Sequence, residues 1–369
     1  MKKKIIALAV ASAAASLMSA PVFAQSTVSV YGVVDQAITS QNQKTGGNVT
    51  SLLGSGYTTE RLGFKGSEDM GNGMKANFML ELGMKGPNGN LDNAQTGPAQ
   101  LFQRVSTLGL SGASWGSVNF GRQYTPVFSI QAANDLFRVA GVGSIYSLTN
   151  VGVTRASNSI RYDSPNFSGF SLAAMYGLGD TGLGNVSTGT ALAAPLVGTN
   201  PMNLGRQAGF NVMYNNGPLM LGAGYNKLYL SAITPVLNSF DDQKTTSLTG
   251  SYDFKVVAIN AGWQENKVSS NLQDRTVWNV GATVPVFGAD SVKLSYSDRH
   301  DKLVNSADSK LTALGYVHPM SKRTTLYATY AKMSNDNNAA QGFIFGAPGV
   351  SLGGGYSPDG FQLGLSHNF

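Results

Sequence analysis

Along most of this chain apolar and polar side chains trade places at every residue. The last nine residues, Phe361-Gln362-Leu363-Gly364-Leu365-Ser366-His367-Asn368-Phe369, put Phe361, Leu363, Leu365, His367 and Phe369 on one face and Gln362, Gly364, Ser366 and Asn368 on the other, because successive side chains of a strand point to opposite sides. The same period recurs at Val28, Val30 and Val34; at Ala76, Phe78, Leu80 and Leu82; at Phe170, Leu172, Ala174 and Tyr176; at Val257, Ile259, Ala261 and Trp263; and at Leu326, Ala328 and Tyr330. The pattern predicts strands with one apolar face each. A soluble sandwich alternates in the same way around a shared core, so one strand alone does not choose between a sandwich and a membrane barrel.

The connections choose. Seven short segments supply Gly, Pro, Asn or Asp where the backbone must reverse: 69–73, 112–116, 164–169, 215–218, 253–255, 287–290 and 319–323. Eight longer polar segments lie between them, near 40–56, 85–101, 123–156, 178–205, 231–243, 267–273, 302–308 and 334–358. Seven turns and eight loops join sixteen strands with both termini on the turn side. Even strand number, short turns at one end and long loops at the other are the signature of an outer-membrane β-barrel, with a polar face expected on the inside of all sixteen strands. Aromatic residues near strand ends, such as Tyr176, Tyr214, Tyr225, Tyr316 and Phe369, suit the girdles of such a barrel.

The first residues change the accounting. Met1-Lys2-Lys3-Lys4, a short apolar stretch and Val22-Phe23-Ala24 before Gln25 read as a secretory signal peptide with a small-x-small cleavage site, rather than as an N-terminal membrane helix. The expected domains are a leader, 1–24, and one barrel, 25–369. Removing the leader leaves 345 residues and takes Lys+Arg from 26 to 23 against 20 Asp+Glu, so the net charge falls from +6 to +3. No clustered basic face suggests nucleic acid. With no cysteine there is no disulfide or thiolate metal site, and no metal or cofactor is expected. No run of about 18 apolar residues in the processed chain is long enough for a helix to cross a bilayer; closure into a barrel is the other way to hide every main-chain polar group from lipid.

Four segments then carry a family resemblance. Val28-Ser29-Val30-Tyr31-Gly32-Val33-Val34-Asp35, Arg61-Leu62-Gly63-Phe64-Lys65-Gly66-Ser67-Glu68-Asp69-Met70-Gly71, Trp115-Gly116-Ser117-Val118-Asn119-Phe120-Gly121-Arg122 and the terminal Phe369 resemble the general porins of Gram-negative outer membranes, in their β-proteobacterial branch. The resemblance implies a sixteen-stranded antiparallel transmembrane barrel and a third loop folded into its lumen. It also implies a homotrimer, passive diffusion of small hydrophilic solutes, and a terminal aromatic, Phe369, read by the barrel-assembly machinery. Partners would be outer-membrane lipid and lipopolysaccharide, small anions and other hydrophilic solutes. The third long segment, 123–156, is the expected constriction loop. It carries Asp135, and its apolar residues Val127, Phe128, Ile130, Leu136 and Phe137 call for burial against the wall.

Positions matching the family's basic wall are Arg61, Arg104 and Arg155, with Arg122 at the start of the loop. Strand parity independently turns Arg61 and Lys65 away from Leu62 and Phe64, and Arg155 and Arg161 away from Ile160 and Tyr162, so these four point into water. Arg104 conflicts with parity, which groups it with Leu108 and Leu110 on the lipid side; either a bulge shifts the register or the match fails. Guanidinium groups in a narrow pore draw anions. Glu81, inward with Asn77 and Met79, and Asp135 oppose them, so a modest anion preference is expected.

No catalytic arrangement stands out. His318 and His367 fall at strand ends, and His300 lies among Asp298, Arg299 and Asp301 at a strand-to-loop junction. Gly177-Leu178-Gly179-Asp180-Thr181-Gly182 has the letters of a dinucleotide fingerprint but precedes a loop instead of a helix. The remaining alternatives to a diffusion channel are a substrate-specific channel on the same scaffold and an outer-membrane barrel enzyme or adhesin.

Overall fold

A computed structural model describes residues 27–92, 100–149, 154–179, 205–229, 242–269, 273–347, 350 and 352–369. The expected leader lies outside these residues, as do most of the loops after residues 179, 229 and 269. The strands are β1 (Thr27–Asn42), β2 (Asn48–Gly54), β3 (Arg61–Gly71), β4 (Met74–Lys85), β5 (Asn90–Leu91), β6 (Val105–Gly112), β7 (Gly116–Tyr124), β8 (Arg155–Asp163), β9 (Phe170–Leu178), β10 (Arg206–Asn216), β11 (Leu219–Tyr229), β12 (Asp242–Asp253), β13 (Ala258–Val268), β14 (Gln273–Pro285), β15 (Ser291–Asp301), β16 (Ser309–Pro319), β17 (Thr324–Asn335) and β18 (Asp359–Asn368). Two helices, α1 (Pro126–Asn134) and α2 (Tyr146–Thr149), sit between β7 and β8.

Every wall strand pairs antiparallel with its neighbour, and β1 pairs with β18 from Val33↔Asn368 to Gln41↔Gly360, closing the sheet on itself. β2 and β3 both pair with β1, through 36–42 and 27–33 respectively, so they are two halves of one interrupted strand. β5 is a two-residue addition to the end of β4. Sixteen wall positions remain, and all seven expected turns are where the chain reverses. At the first of them the Asp69 carboxylate accepts the Gly71 amide at 2.8 Å.

The expected first loop is shorter than 40–56. β1 runs on to Asn42 and pairs with β2 down to Asn48, with Thr50 donating to Ser40 across the strands. Both faces of this hairpin carry polar residues, so the apolar alternation that marks a strand is lost while the ladder continues. The true interruption is 55–60, where the chain leaves the wall. Asp35 of β1 captures it: its carboxylate accepts the amides of Gly56, Tyr57 and Thr58 at 3.2, 2.9 and 2.6 Å and the Tyr327 hydroxyl at 2.5 Å. Glu60 returns the favour to the wall, accepting the amides of Asp35 and Gly86.

Burial is inverted relative to a water-soluble fold. Val28, Leu108 and Phe120 are 66%, 65% and 50% exposed, and Phe361, Leu363 and Leu365 are also out, whereas Gln362, Asn211 and Ser297 are buried. An apolar exterior over a polar interior is what lipid outside and water inside require. The interior is not polar throughout, however. The inner faces of β14, β16 and β17 present Val277, Leu311, Ala313, Ala331 and Met333, which pack with Phe137, Val142, Ile145 and Leu148 from the segment between β7 and β8, and with Phe343. The expectation of a polar inner face on every strand fails there because that wall is covered by protein. Each of the larger side chains among them contributes roughly 1.5–3 kcal/mol when fully buried, and each alanine less, enough in sum to hold the segment inside.

Candidate functional site

The segment 125–149 enters the lumen in a fixed shape. Thr125 caps α1 by accepting the Phe128 amide, and Pro126 occupies the first turn, where its missing N–H costs nothing. α1 lies along the inner faces of β10–β12. It can approach because residue 224 is glycine: a Cβ there would stand 2.9 Å from Ile130 Cγ1. Polar side chains then pin the loop: Asn211 Nδ2 donates to the Pro126 carbonyl (2.7 Å), Gln131 Nε2 to Gln264 (2.7 Å), Asn260 Nδ2 to the Asn134 carbonyl (2.6 Å), Lys293 Nζ to the Leu136 carbonyl (2.7 Å), and the Val142 amide to Gln362 (2.8 Å). The expected constriction loop is therefore anchored on the far wall, and what it leaves open lies against β3–β8.

There two cavities meet. One, about 1120 Å³, is bounded by Arg61, Arg104, Arg138, Arg155 and Arg161 among its charged groups, with Lys85, Glu60 and Asp92; the other, about 470 Å³, by Lys65, Arg161 and Asp163. They share Tyr124 and Arg161, so the passage turns on that pair.

Arg61 is held by Thr59, donating from Nε to its carbonyl (2.9 Å) and from NH2 to its hydroxyl (2.6 Å). Lys65 stands over the Tyr31 ring at 5.2 Å. Glu81, inward on β4 as parity predicts, accepts Arg104 Nε at 2.7 Å and the Tyr31 hydroxyl at 3.0 Å. Arg104 also donates from NH2 to the Tyr124 hydroxyl at 2.7 Å. Its position settles the conflict with parity: Val105 and Thr107 face inward and Leu108 and Leu110 outward, but Arg104 precedes β6 and lies beyond the reach of strand alternation. Arg155 donates from NH2 to the same hydroxyl (2.8 Å) with its guanidinium over the Tyr124 ring at 4.4 Å. Arg161 forms a forked pair with Asp163 and donates to the Tyr124 carbonyl at 2.8 Å.

Two expected residues are placed otherwise. Arg122 borders neither cavity: β8 carries an extra residue where Asn158 has φ +49°, and beside that bulge Arg122 donates to the Gln103 carbonyl (2.5 Å) and to Ser157 (2.8 Å). Asp135 does not present its carboxylate to the passage. It is buried, accepting the amides of Phe137 (2.8 Å) and Val139 (3.0 Å) and the Ser144 hydroxyl (2.5 Å). Burial raises its pKa and these donors pull it back; its work is to shape the loop. Phe369 closes the barrel, exchanging both main-chain hydrogen bonds with Gly32 at 3.1 Å.

Sequence reasoning missed Tyr124, Arg138, Asp35 and Glu60. Tyr124, at a strand end, is indistinguishable by position from a girdle aromatic. Arg138, left-handed at φ +61°, faces Tyr57 at 4.8 Å from the loop side. The histidines pair with carboxylates or a hydroxyl at the barrel rims: His300 with Asp308, His318 with Asp290 and His367 with Thr324. Residues 180–182 of the glycine-rich stretch lie outside the described residues.

A closed barrel, greasy outside, with a packed internal loop and an open charged passage beside it, is a membrane channel of the outer-membrane type. A sequence profile of the Gram-negative porin family matches residues 8–338, and the chain belongs to that family: it is an outer-membrane porin. It is 34% identical over 386 aligned residues to outer membrane porin protein 32 of Delftia acidovorans, with both chains covered in full. The solved anion-selective porin from Comamonas acidovorans superposes with a TM-score of 0.80 at 32% identity, covering 94% of this chain and all of that one. OmpT of Vibrio cholerae, solved in a trimer form, shares the fold at 16% identity and a TM-score of 0.64, over 93% of this chain and 99% of that one.

Proposed function

We propose that this porin passes small hydrophilic solutes without chemical change and favours anions, through the passage bounded by Arg61, Arg104, Arg155, Arg161 and the loop residue Arg138. The observation that carries this reading is the imbalance of charge around the larger cavity: six basic side chains line it against Glu60 and Asp92, and Glu60 is occupied by main-chain amides. Low solvent screening in a narrow pore strengthens such a field. Glu81 offsets part of it, which keeps the preference modest. The likeness to an anion-selective porin supports the same reading.

The working form in this proposal is a homotrimer exported by the leader 1–24, assembled through recognition of the strand ending at Phe369, and embedded in outer-leaflet lipopolysaccharide. Lys227, Lys244 and Lys267, on the same faces as Leu221, Leu248 and Ile259 but nearer the loops, and paired with Asp242 or Asp274, are the cations placed to meet lipid phosphate groups. The test is a reversal potential across a planar bilayer holding the purified protein, with 0.1 M KCl on one side and 1 M on the other. An anion-selective sign is expected; a cation-selective sign overturns the proposed ring.

A further inference from the structure

Tyr124 is the side chain on which the arginines of the passage depend. A neutral phenol oxygen has two lone pairs, and here Arg104 and Arg155 each take one, at 2.7 and 2.8 Å. The Tyr124 carbonyl takes Arg161 as well. Arg104 has Glu81 besides, and Arg161 has Asp163. Among the described residues Arg155, like Arg61 and Arg138, has no ion-pair partner, and its buried Nε has no hydrogen-bond acceptor, so the phenol holds a guanidinium that no acid neutralises. The Tyr124 ring is stacked on Phe128 of α1 at 5.1 Å and 11°, and Phe128 meets Tyr146 edge-on at 6.0 Å. The arginines of the wall are thereby tied to the internal loop through three rings.

We propose that Tyr124 is a positioning residue for ion selectivity: its hydroxyl aims Arg104 and Arg155 together into the passage, and its ring sets their distance from the loop. This rests on the anion-selective reading above. A mere packing role for Tyr124 makes a different demand, because phenylalanine fills the same space and keeps the stack.

Reversal potentials separate the two, measured at pH 8 for the wild type and for Y124F, Y124H, R155Q and Y124F/R155Q. Y124F is expected to fold to a heat-modifiable barrel and to lose about twofold or more of the anion-over-cation permeability ratio, because Arg155 loses its hydroxyl acceptor, swings away and becomes better solvated, while Arg104 is left to Glu81 alone. Y124H, whose imidazole is neutral at pH 8 and offers a ring nitrogen as acceptor, recovers part of the ratio. In the R155Q background Y124F has a smaller effect than alone. A wild-type ratio in Y124F while R155Q lowers it overturns the role of Tyr124 and leaves the arginine ring standing; equal ratios for Y124H and Y124F overturn the acceptor argument. A cation-selective wild type, or no effect from R155Q, sinks the underlying reading itself. If Y124F yields no folded barrel, Y124H decides: a ratio above that of R155Q supports the acceptor, and a ratio as low as that of R155Q overturns it.

Discussion

Arg155→Gln removes one charge from the passage and strands no carboxylate, since the guanidinium is held by the Tyr124 hydroxyl and ring. Its effect is therefore close to pure electrostatics. For an ion passing about 7 Å away in water-like surroundings, one unit charge is worth about 0.6 kcal/mol. At 0.1 M salt, with a Debye length of about 10 Å, roughly half of that survives. The anion loses about 0.3 kcal/mol and the cation gains as much, so the permeability ratio falls about threefold. At 1 M the Debye length is about 3 Å and almost nothing remains of the difference. The assay is a pair of reversal potentials, one with tenfold gradients centred near 0.1 M KCl and one near 1 M, for wild type and variant. An unchanged ratio at low salt refutes the claim that Arg155 faces the permeating ions. An equal change at both salt levels refutes the electrostatic argument and points to a rearranged pore.

Other perturbations test the scaffold. Asp35→Ala deprives one buried and two part-buried amides and the buried Tyr327 hydroxyl of their acceptor; a loss of about 3 kcal/mol follows, read as a lower denaturant midpoint of the folded barrel in detergent. Gly141→Ala puts a side chain at φ +65° and drives its Cβ into the Gly56 carbonyl oxygen, at a cost of about 1–3 kcal/mol. Because Gly141 also donates its amide to Ser55, single-channel records of that variant should show added current noise from a loosened loop, and quiet records would argue against this tether. Phe369→Ala keeps the main-chain pair with Gly32 but loses the ring that covers it; the yield of heat-modifiable barrel should fall while inserted molecules keep their conductance, and normal yield would dispose of the idea.

The wall was legible because lipid and water impose opposite demands on adjacent residues, and strands such as β18 record both. Turns were legible because reversals at 69–73 or 215–218 need glycine, asparagine or aspartate. Legibility stopped where those demands stop. Ser40 to Asn42 and Asn48 to Thr50 put polar side chains on both faces of the hairpin, with Gln41 buried against the Ala347 amide, so a paired hairpin read as loop. Arg104 stands one residue before its strand, where parity has no force. Asp135 carries the charge expected of a pore acid, yet it precedes residues whose bare amides need an acceptor, and local hydrogen bonding outcompetes the lumen for it. The apolar inner faces of β14, β16 and β17 contradict the simple inside-polar rule because they answer to the loop, and nothing local in those strands announces a partner more than a hundred residues away.

The loop's burial of Asp135 and display of Arg138 has an effect on traffic. The inserted segment turns its own acid inward and a guanidinium toward the passage, so it adds positive charge from the side opposite the wall arginines. On the proposed anion-selective reading, a solute threading between them meets basic groups on either bank, with Glu60 and Asp92 the acids beside the larger cavity. A zwitterion then gains little by aligning itself across the gap, while an excess of negative charge speeds passage. On that reading sorting follows net valence far more than molecular dipole.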